Sequence, residues 1–360
     1  MDSGAVPIIK PPGITSQRVV SLFRRLTGVQ KAGHTGTLDP AAVGVVVVCF
    51  GTATRLVEFT DIYPKRYRAE LTFGWSTDTQ DSTGSTKAVT PQFELDPARV
   101  DEVLEEFVGQ IEQVPPMMSA LKQSGVRLYK LARQGVSVER QPRTVTVYSL
   151  KRFSPTSGRS GQESCDRITF GSRVMLDVEC SSGTYVRTLC EDIGARLGVQ
   201  AHMSYLVRLA ASGFTLEDSV ALEELADLPA WGEGARLCRS GMRPMSVGGP
   251  PFPPEHLVRD LPRIHCRPDE DRLIANGVVP HRLSESVVEQ TVESSVEQVS
   301  EPAAKRVSKS VVERAGASSA SGRVAIYMSS GQLAAVGRVV GRAGRSVIQL
   351  EKVVASQSGT

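Results

Sequence analysis

Apolar positions recur along this chain in two rhythms, and they mark out strands and helices that alternate without a fixed repeat. Ala41 to Phe50 is a near-continuous, valine-rich run, the pattern of a strand covered on both faces. Ile8 to Gly13 reads as a strand that ends in a Pro-Pro-Gly turn. Thr15 or Ser16 then caps a helix carrying Val19, Val20, Leu22 and Phe23. Tyr67 to Gly74 alternates as a strand does, and Thr77 to Gly84 is a polar loop. Asp96-Pro97 opens a second helix, with Val100, Val103, Leu104, Phe107, Val108 and Ile111 on one face and a stop at Gln113 to Pro116. A short helix over Leu128 to Gln134 closes at Gly135. Strands follow over Thr144 to Phe153 and Ile168 to Cys180, then a helix over Tyr185 to Leu197 that ends at Gly198. No regular βαβ period runs through this order. The expected class is therefore α+β, with a large mixed, mainly antiparallel sheet flanked by helices.

The pattern changes near residue 250. Gly248 to Pro254 has the composition of a linker, which bounds a first domain of residues 1–250. A smaller domain, residues 261–355, is predicted beyond it. Pro262 to Cys266 reads as a strand, Asp269 to Ala275 as a helix, and Val278 to Leu283 follows. Val324 to Met328, Leu333 to Val340 and Ser346 to Val354 are further strands, the first two joined by a turn at Ser329 to Gln332. Together they fit a small β-barrel. Between its halves, Ser284 to Ser321 is rich in Ser, Val and Glu and has no aromatic residue, which reads as a disordered insertion.

Composition narrows the function classes only slightly. The net charge is +3 over 360 residues, so bulk charge says little about partners. Its distribution says more: Lys122, Arg127, Lys130, Arg133, Arg140, Arg143, Lys151 and Arg152 face the single acid Glu139 across that stretch. Such a surface suits phosphates, although a solvated helix face has the same composition. Cys49, Cys165, Cys180, Cys190, Cys238 and Cys266 form no C-x-x-C pair and no metal-type cluster. Reduced thiols and a cytoplasmic location are the simplest account. The N-terminus has no signal-peptide pattern, and no apolar run is long enough to span a bilayer, so neither membrane nor metal is expected.

The segment that points to chemistry is Gly33-His34-Thr35-Gly36-Thr37-Leu38-Asp39-Pro40, directly before the valine run. Two glycines let the backbone turn tightly, and Pro40 restricts Asp39 to extended conformations. Neither a phosphate-loop lysine nor a dinucleotide glycine pattern continues it. Asp39 is thus a candidate nucleophile or base acting alone, while an ordinary Asp-Pro turn before a core strand stays open on spacing.

Further along, several motifs fall in one order. They are Lys10-Pro11-Pro12-Gly13, the octapeptide, Lys65-Arg66-Tyr67-Arg68, Thr77 to Asp81, the segment Gln113 to Gly135, Cys180 to Arg187, and Leu206 with Arg208. In this register the chain resembles the TruB-type tRNA pseudouridine-55 synthases of bacteria, and its C-terminal part resembles a PUA RNA-binding domain. The resemblance implies isomerisation of a T-loop uridine of tRNA on a flipped-out nucleotide, without cofactor, metal or guide RNA, by a monomer. It implies that Asp39, Tyr67 and Arg187 are catalytic. It also implies that His34, Tyr67, Leu206, Lys10 and Arg208 bind the substrate. Val207, Met118 and Ser182 depart from the family pattern and bear on RNA affinity. Two alternatives stay open: a tRNA-binding or tRNA-folding protein on the same scaffold, and a guide-RNA-dependent synthase.

Overall fold

The computed structural model describes residues 3–119, 121–123, 125–136, 138–153, 167–227, 251–280, 283, 322–342 and 345–354. The expected insertion at 284–321, part of the 248–254 linker, Cys165 and Cys238 lie outside these residues.

One mixed sheet organises the chain from Gly4 to Ala221. Its strands are β1 (Gly4–Lys10), β2 (Ala32–His34), β3 (Val43–Phe50), β4 (Lys65–Phe73), β5 (Gly109–Gln113), β6 (Arg143–Arg152), β7 (Arg173–Cys180), β8 (Ala201–Ala211), β9 (Phe214–Thr215) and β10 (Val220–Ala221). Across the sheet they run β10-β1-β3-β8-β4-β7-β6-β5, with β2 added on β3 and β9 on β8. Only β1 with β10 and β3 with β8 pair in parallel, which bears out the mainly antiparallel expectation. The helices are α1 (Ser16–Thr27), α2 (Pro97–Glu106), α3 (Leu128–Arg133) and α4 (Val186–Arg196). Thr15 caps α1 and Asp96 caps α2, each accepting a backbone N–H two or three residues on.

The valine run is apolar throughout because both of its faces are covered. Val46 packs with Leu38, Tyr67 and Leu206, and Val48 and Phe50 pack against Val19, Val20 and Phe23 of α1. On the other face, Val45, Val47 and Cys49 meet Phe59, Leu257 and Tyr327. Every one of these β3 residues is fully buried. At about 1.5–3 kcal/mol for each large apolar side chain buried, β3 is the spine of this sheet.

The expected helix from Asp96 to Gln113 is two elements. It ends at Glu106, Gly109 turns the chain at φ 114°, and Ile111 then sits on β5 opposite Val145. The strand expected from Ile168 begins at Arg173. β8, a central strand, was not among the expected elements. Its alternation is broken by two register shifts, between Met203 and Tyr205 and between Arg208 and Ala210, which hide the period of two. The 3₁₀ stretch Gly51–Ile62 was also unexpected.

Four more strands, β11 (Arg263–His265), β12 (Arg323–Tyr327), β13 (Leu333–Arg342) and β14 (Arg345–Val353), form a second sheet in chain order, beside α5 (Asp271–Ala275). Among the described residues the expected small barrel is this four-stranded sheet. It packs against the first sheet. Phe252, inside the expected linker, exchanges two 2.8 Å backbone hydrogen bonds with Ala5, and Tyr327, Leu333 and Val336 share the apolar cluster under β3.

Candidate active site

Asp39 lies on the loop that leads from β2 into β3. Residues distant in sequence hold this loop. The Lys10 ammonium, fully buried at the end of β1, donates to the carbonyl oxygens of Pro11 (2.9 Å), Ile14 (2.9 Å) and Pro40 (3.0 Å). The Ser16 hydroxyl accepts from the Leu38 N–H at 2.8 Å and donates to its carbonyl at 3.2 Å. Arg208 on β8, also fully buried, donates to Val45 (2.7 Å), Thr37 (3.1 Å) and Gly36 (3.1 Å) carbonyl oxygens. A hydrogen bond of 2.8 Å from Gly13 N–H to Pro40 completes the frame. A loop that its glycines leave free is in this way pinned at Gly36, Thr37, Leu38 and Pro40, on both sides of Asp39.

Arg187 stands in the first turn of α4 and faces Asp39. Its Nε is 2.8 Å from Asp39 Oδ2, and its Nη2 donates to Oδ1 at 3.3 Å, a bidentate pair. The Arg187 side chain is 5% exposed and that of Asp39 is 33% exposed. The cation is thus enclosed by protein while the carboxylate opens toward solvent. The rest of the fork is also occupied. Nη1 donates to the Thr79 carbonyl at 3.0 Å, and Nη2 to the Met118 carbonyl at 3.0 Å. Asp81 Oδ2 lies 3.7 Å from Nη1.

The Thr77 to Gly84 loop presents Thr79 and Asp81 because it is tied to itself. The Asp81 carboxylate accepts from the Thr79 hydroxyl (2.7 Å) and from the Thr83 N–H (2.9 Å). The Thr188 hydroxyl donates to Gln80 at 2.8 Å and anchors the loop on α4.

Tyr67 on β4 is buried beside Leu38, Ala42, Val46 and Leu206. Burial pushes its hydroxyl up to about 12, against the opposing charge of Arg208, so it stays a neutral phenol at physiological pH. Leu206 on β8 is 5% exposed in the same cluster. His34, at the end of β2, is half-buried and lines an open recess with Arg24, Lys31 and Thr54. Its Nδ1 is buried without a hydrogen-bond partner. Burial, with the Arg208 charge, lowers its pKa and favours the neutral ring.

The structure therefore brings Asp39, Arg187, Tyr67 and Leu206 to one place, and it adds Thr79, Asp81, Ser16 and the Met118 carbonyl. The Met118 contact to Arg187 is made by its backbone carbonyl, whatever the side chain. Lys10 and Arg208 were expected to touch substrate. Both are enclosed and direct their protons at loop carbonyl oxygens behind Asp39. Within the basic stretch two residues are already engaged by protein groups. Arg152 forms a bidentate pair with Asp101 at 2.5 Å, and Arg140 donates to the Pro115 carbonyl at 3.1 Å. Lys130, Arg143 and Lys151 are exposed. Ser182 has a buried hydroxyl without a partner. Val207 pairs in register with Val43 and Arg68.

Among the described residues no set of three or more His, Cys, Asp or Glu converges on a point that could hold a metal. No helix among them is long and apolar enough to cross a membrane.

An oriented, solvent-facing carboxylate with a guanidinium behind it and a neutral phenol nearby is equipped to attack or stabilise an electron-poor carbon. Residues 24–186 match the N-terminal domain of the TruB family pseudouridylate synthases, and residues 187–246 match the tRNA pseudouridylate synthase B C-terminal domain. The molecule is a pseudouridine synthase, an isomerase. The chain belongs to the TruB family, in its bacterial form. The tRNA pseudouridine synthase B of Halalkalibacterium halodurans is 42% identical over 77% of this chain and 84% of its own length. That of Pelotomaculum thermopropionicum is 50% identical over 62% and 68%. Among solved structures, a Cbf5-Nop10-Gar1 complex matches with a TM-score of 0.60 at 23% identity, over 98% of this chain and 85% of the other. At that identity the likeness speaks for the fold alone.

Proposed function

We propose that this enzyme converts uridine 55, in the T-loop of tRNA, to pseudouridine, with Asp39 as its catalytic carboxylate. The relatives in H. halodurans and P. thermopropionicum are named for action on tRNA. The observation that carries the catalytic assignment is the bidentate Asp39–Arg187 pair, its carboxylate exposed and its guanidinium enclosed.

In the reaction the N1–C1′ bond breaks, the uracil turns, C5 bonds to C1′, and the C5 proton leaves as N1 gains one. Asp39 attacks the ribose or the base, or stabilises charge at C1′, and Arg187 keeps both carboxylate oxygens oriented. Tyr67 stacks on the extruded uracil, Leu206 walls the same pocket, and His34 fills the space the base leaves. Flipping a nucleotide costs a few kcal/mol, less from a loop than from a duplex. Phosphate contacts by Lys130, Arg143 and Lys151 offset that cost. Residues 1–250 form the catalytic domain on this reading. Residues 261–355 form a PUA-type RNA-binding domain interrupted at 284–321. The enzyme works as a cytoplasmic monomer without guide RNA.

The test is unmodified tRNA mixed with purified protein in buffer and chelator, with pseudouridine mapped by chemical labelling. Product at the T-loop uridine with wild type, and none with Asp39→Asn at undiminished RNA binding, is the expected result. Product only after a guide RNA is added would favour the guide-dependent class. Tight binding with no product under either condition would overturn the catalytic reading.

A further inference from the structure

Lys65 begins β4, two residues before Tyr67, so both side chains leave the same face of the strand. The ammonium reaches the catalytic loop from below. Its Nζ lies 3.6 Å from where a Cβ on Gly36 would stand, and Arg208 Nη1 lies 3.9 Å from that same point. Two cations therefore approach Gly36 from its Cβ side. They differ in one respect. Arg208 directs its protons at three carbonyl oxygens. The Lys65 ammonium makes no hydrogen bond or ion pair within 4 Å with any described residue, although the side chain is half-buried.

Such an arrangement is unfavourable in the RNA-free protein. Burial and the neighbouring Arg208 both disfavour the charged ammonium, and Asp61 offsets them only in part. A half-buried cation of this kind gains most from a full negative charge brought by the substrate. Uracil and ribose are neutral; in RNA that charge resides on the phosphodiesters. Gly36 has no side chain, so no Cβ stands against the ammonium at that point of the loop.

We propose that Lys65 binds a phosphodiester flanking the flipped uridine, and so seats the target nucleotide between Gly36 and Tyr67. The inference rests on the RNA-substrate reading above. It gives Lys65 a binding role distinct from the loop-holding roles of Lys10 and Arg208.

The test combines a protein variant with a substrate variant. Lys65→Met is close in length and keeps an apolar stem, and Lys65→Arg keeps the charge. T-arm stem-loops are made with one neutral methylphosphonate in turn at each of the linkages around the target uridine. With native RNA, Lys65→Met should raise KM about tenfold or more with kcat within about twofold, and Lys65→Arg should recover most of it. The slope of log affinity against log salt should fall by roughly 0.7. At one linkage the methylphosphonate should weaken wild type and leave Lys65→Met unchanged, the non-additivity expected of a direct pair. Additive losses at every linkage, or a fall in kcat with KM unchanged, would overturn the proposal. Inactive wild type would instead count against the RNA-substrate reading itself.

Discussion

The buried Lys10 ammonium stands 3.0 Å from the carbonyl oxygen of Pro40, the residue directly after Asp39. Burial lowers the pKa of this amine from 10.5 to about 8, with Arg208 adding to the effect and the Asp39 charge opposing it. The native value is below the unfolded one, so between pH 8 and about 10.5 the unfolded chain holds more protons. This group's contribution to stability is flat below pH 8 and rises with pH through that window. Activity should move the other way, because a neutral amine has two N–H groups for three carbonyls and loosens the loop. A fall in kcat above about pH 8, together with a melting temperature that does not fall in parallel, is the expected pattern. A kcat unchanged to pH 9.5 would show that the Lys10 charge does not hold the loop.

Arg187→Lys keeps a positive charge and loses the planar fork. One ammonium cannot serve both Asp39 oxygens, the Thr79 carbonyl and the Met118 carbonyl at once. The expected loss is about 10²–10³-fold in kcat, with KM within about threefold, since the interaction lost orients the reacting group. Steady-state kinetics on a T-arm substrate measures this, and equal losses in binding and rate would refute the orienting role.

Gly44 is required by packing at the strand that carries the site. Its φ is +117°, and a Cβ there would lie 2.2 Å from the Arg208 carbonyl oxygen. Gly44→Ala should cost more than about 3 kcal/mol, or prevent folding, by parting β3 from β8. Gly33→Ala provides the contrast. A Cβ at Gly33 meets nothing within 4 Å, so its stability should stay within about 0.5 kcal/mol of wild type. Urea denaturation of the two variants gives the comparison.

Much of this protein is written in local pattern. The valine run, the capped starts of α1 and α2, and the turn glycines at 135 and 198 are decided by short-range chemistry: continuous apolar character, a side chain that accepts a backbone N–H, a residue that tolerates positive φ. The motifs from Lys10 to Arg208 likewise identify Asp39, Tyr67 and Arg187 as residues of interest, because motif order is a property of the sequence. Local pattern fails where register or burial decides. Two register shifts break the alternation of β8, and so the strand carrying Leu206 and Arg208 was not visible. The helix after Asp96 stops at Glu106 because Gly109 turns the chain and Ile111 finds a place opposite Val145 in the sheet.

The roles of the cations belong wholly to the tertiary structure. In sequence Lys10, Lys65, Arg187 and Arg208 are four basic residues in motifs, each able to meet a phosphate. Folding encloses Lys10 and Arg208 behind the loop, sets Arg187 against Asp39, and leaves Lys65 without a described partner. Charge type is local information. Which charge is buried, paired or left open depends on strands that meet only across the sheet, and no spacing along the chain encodes that.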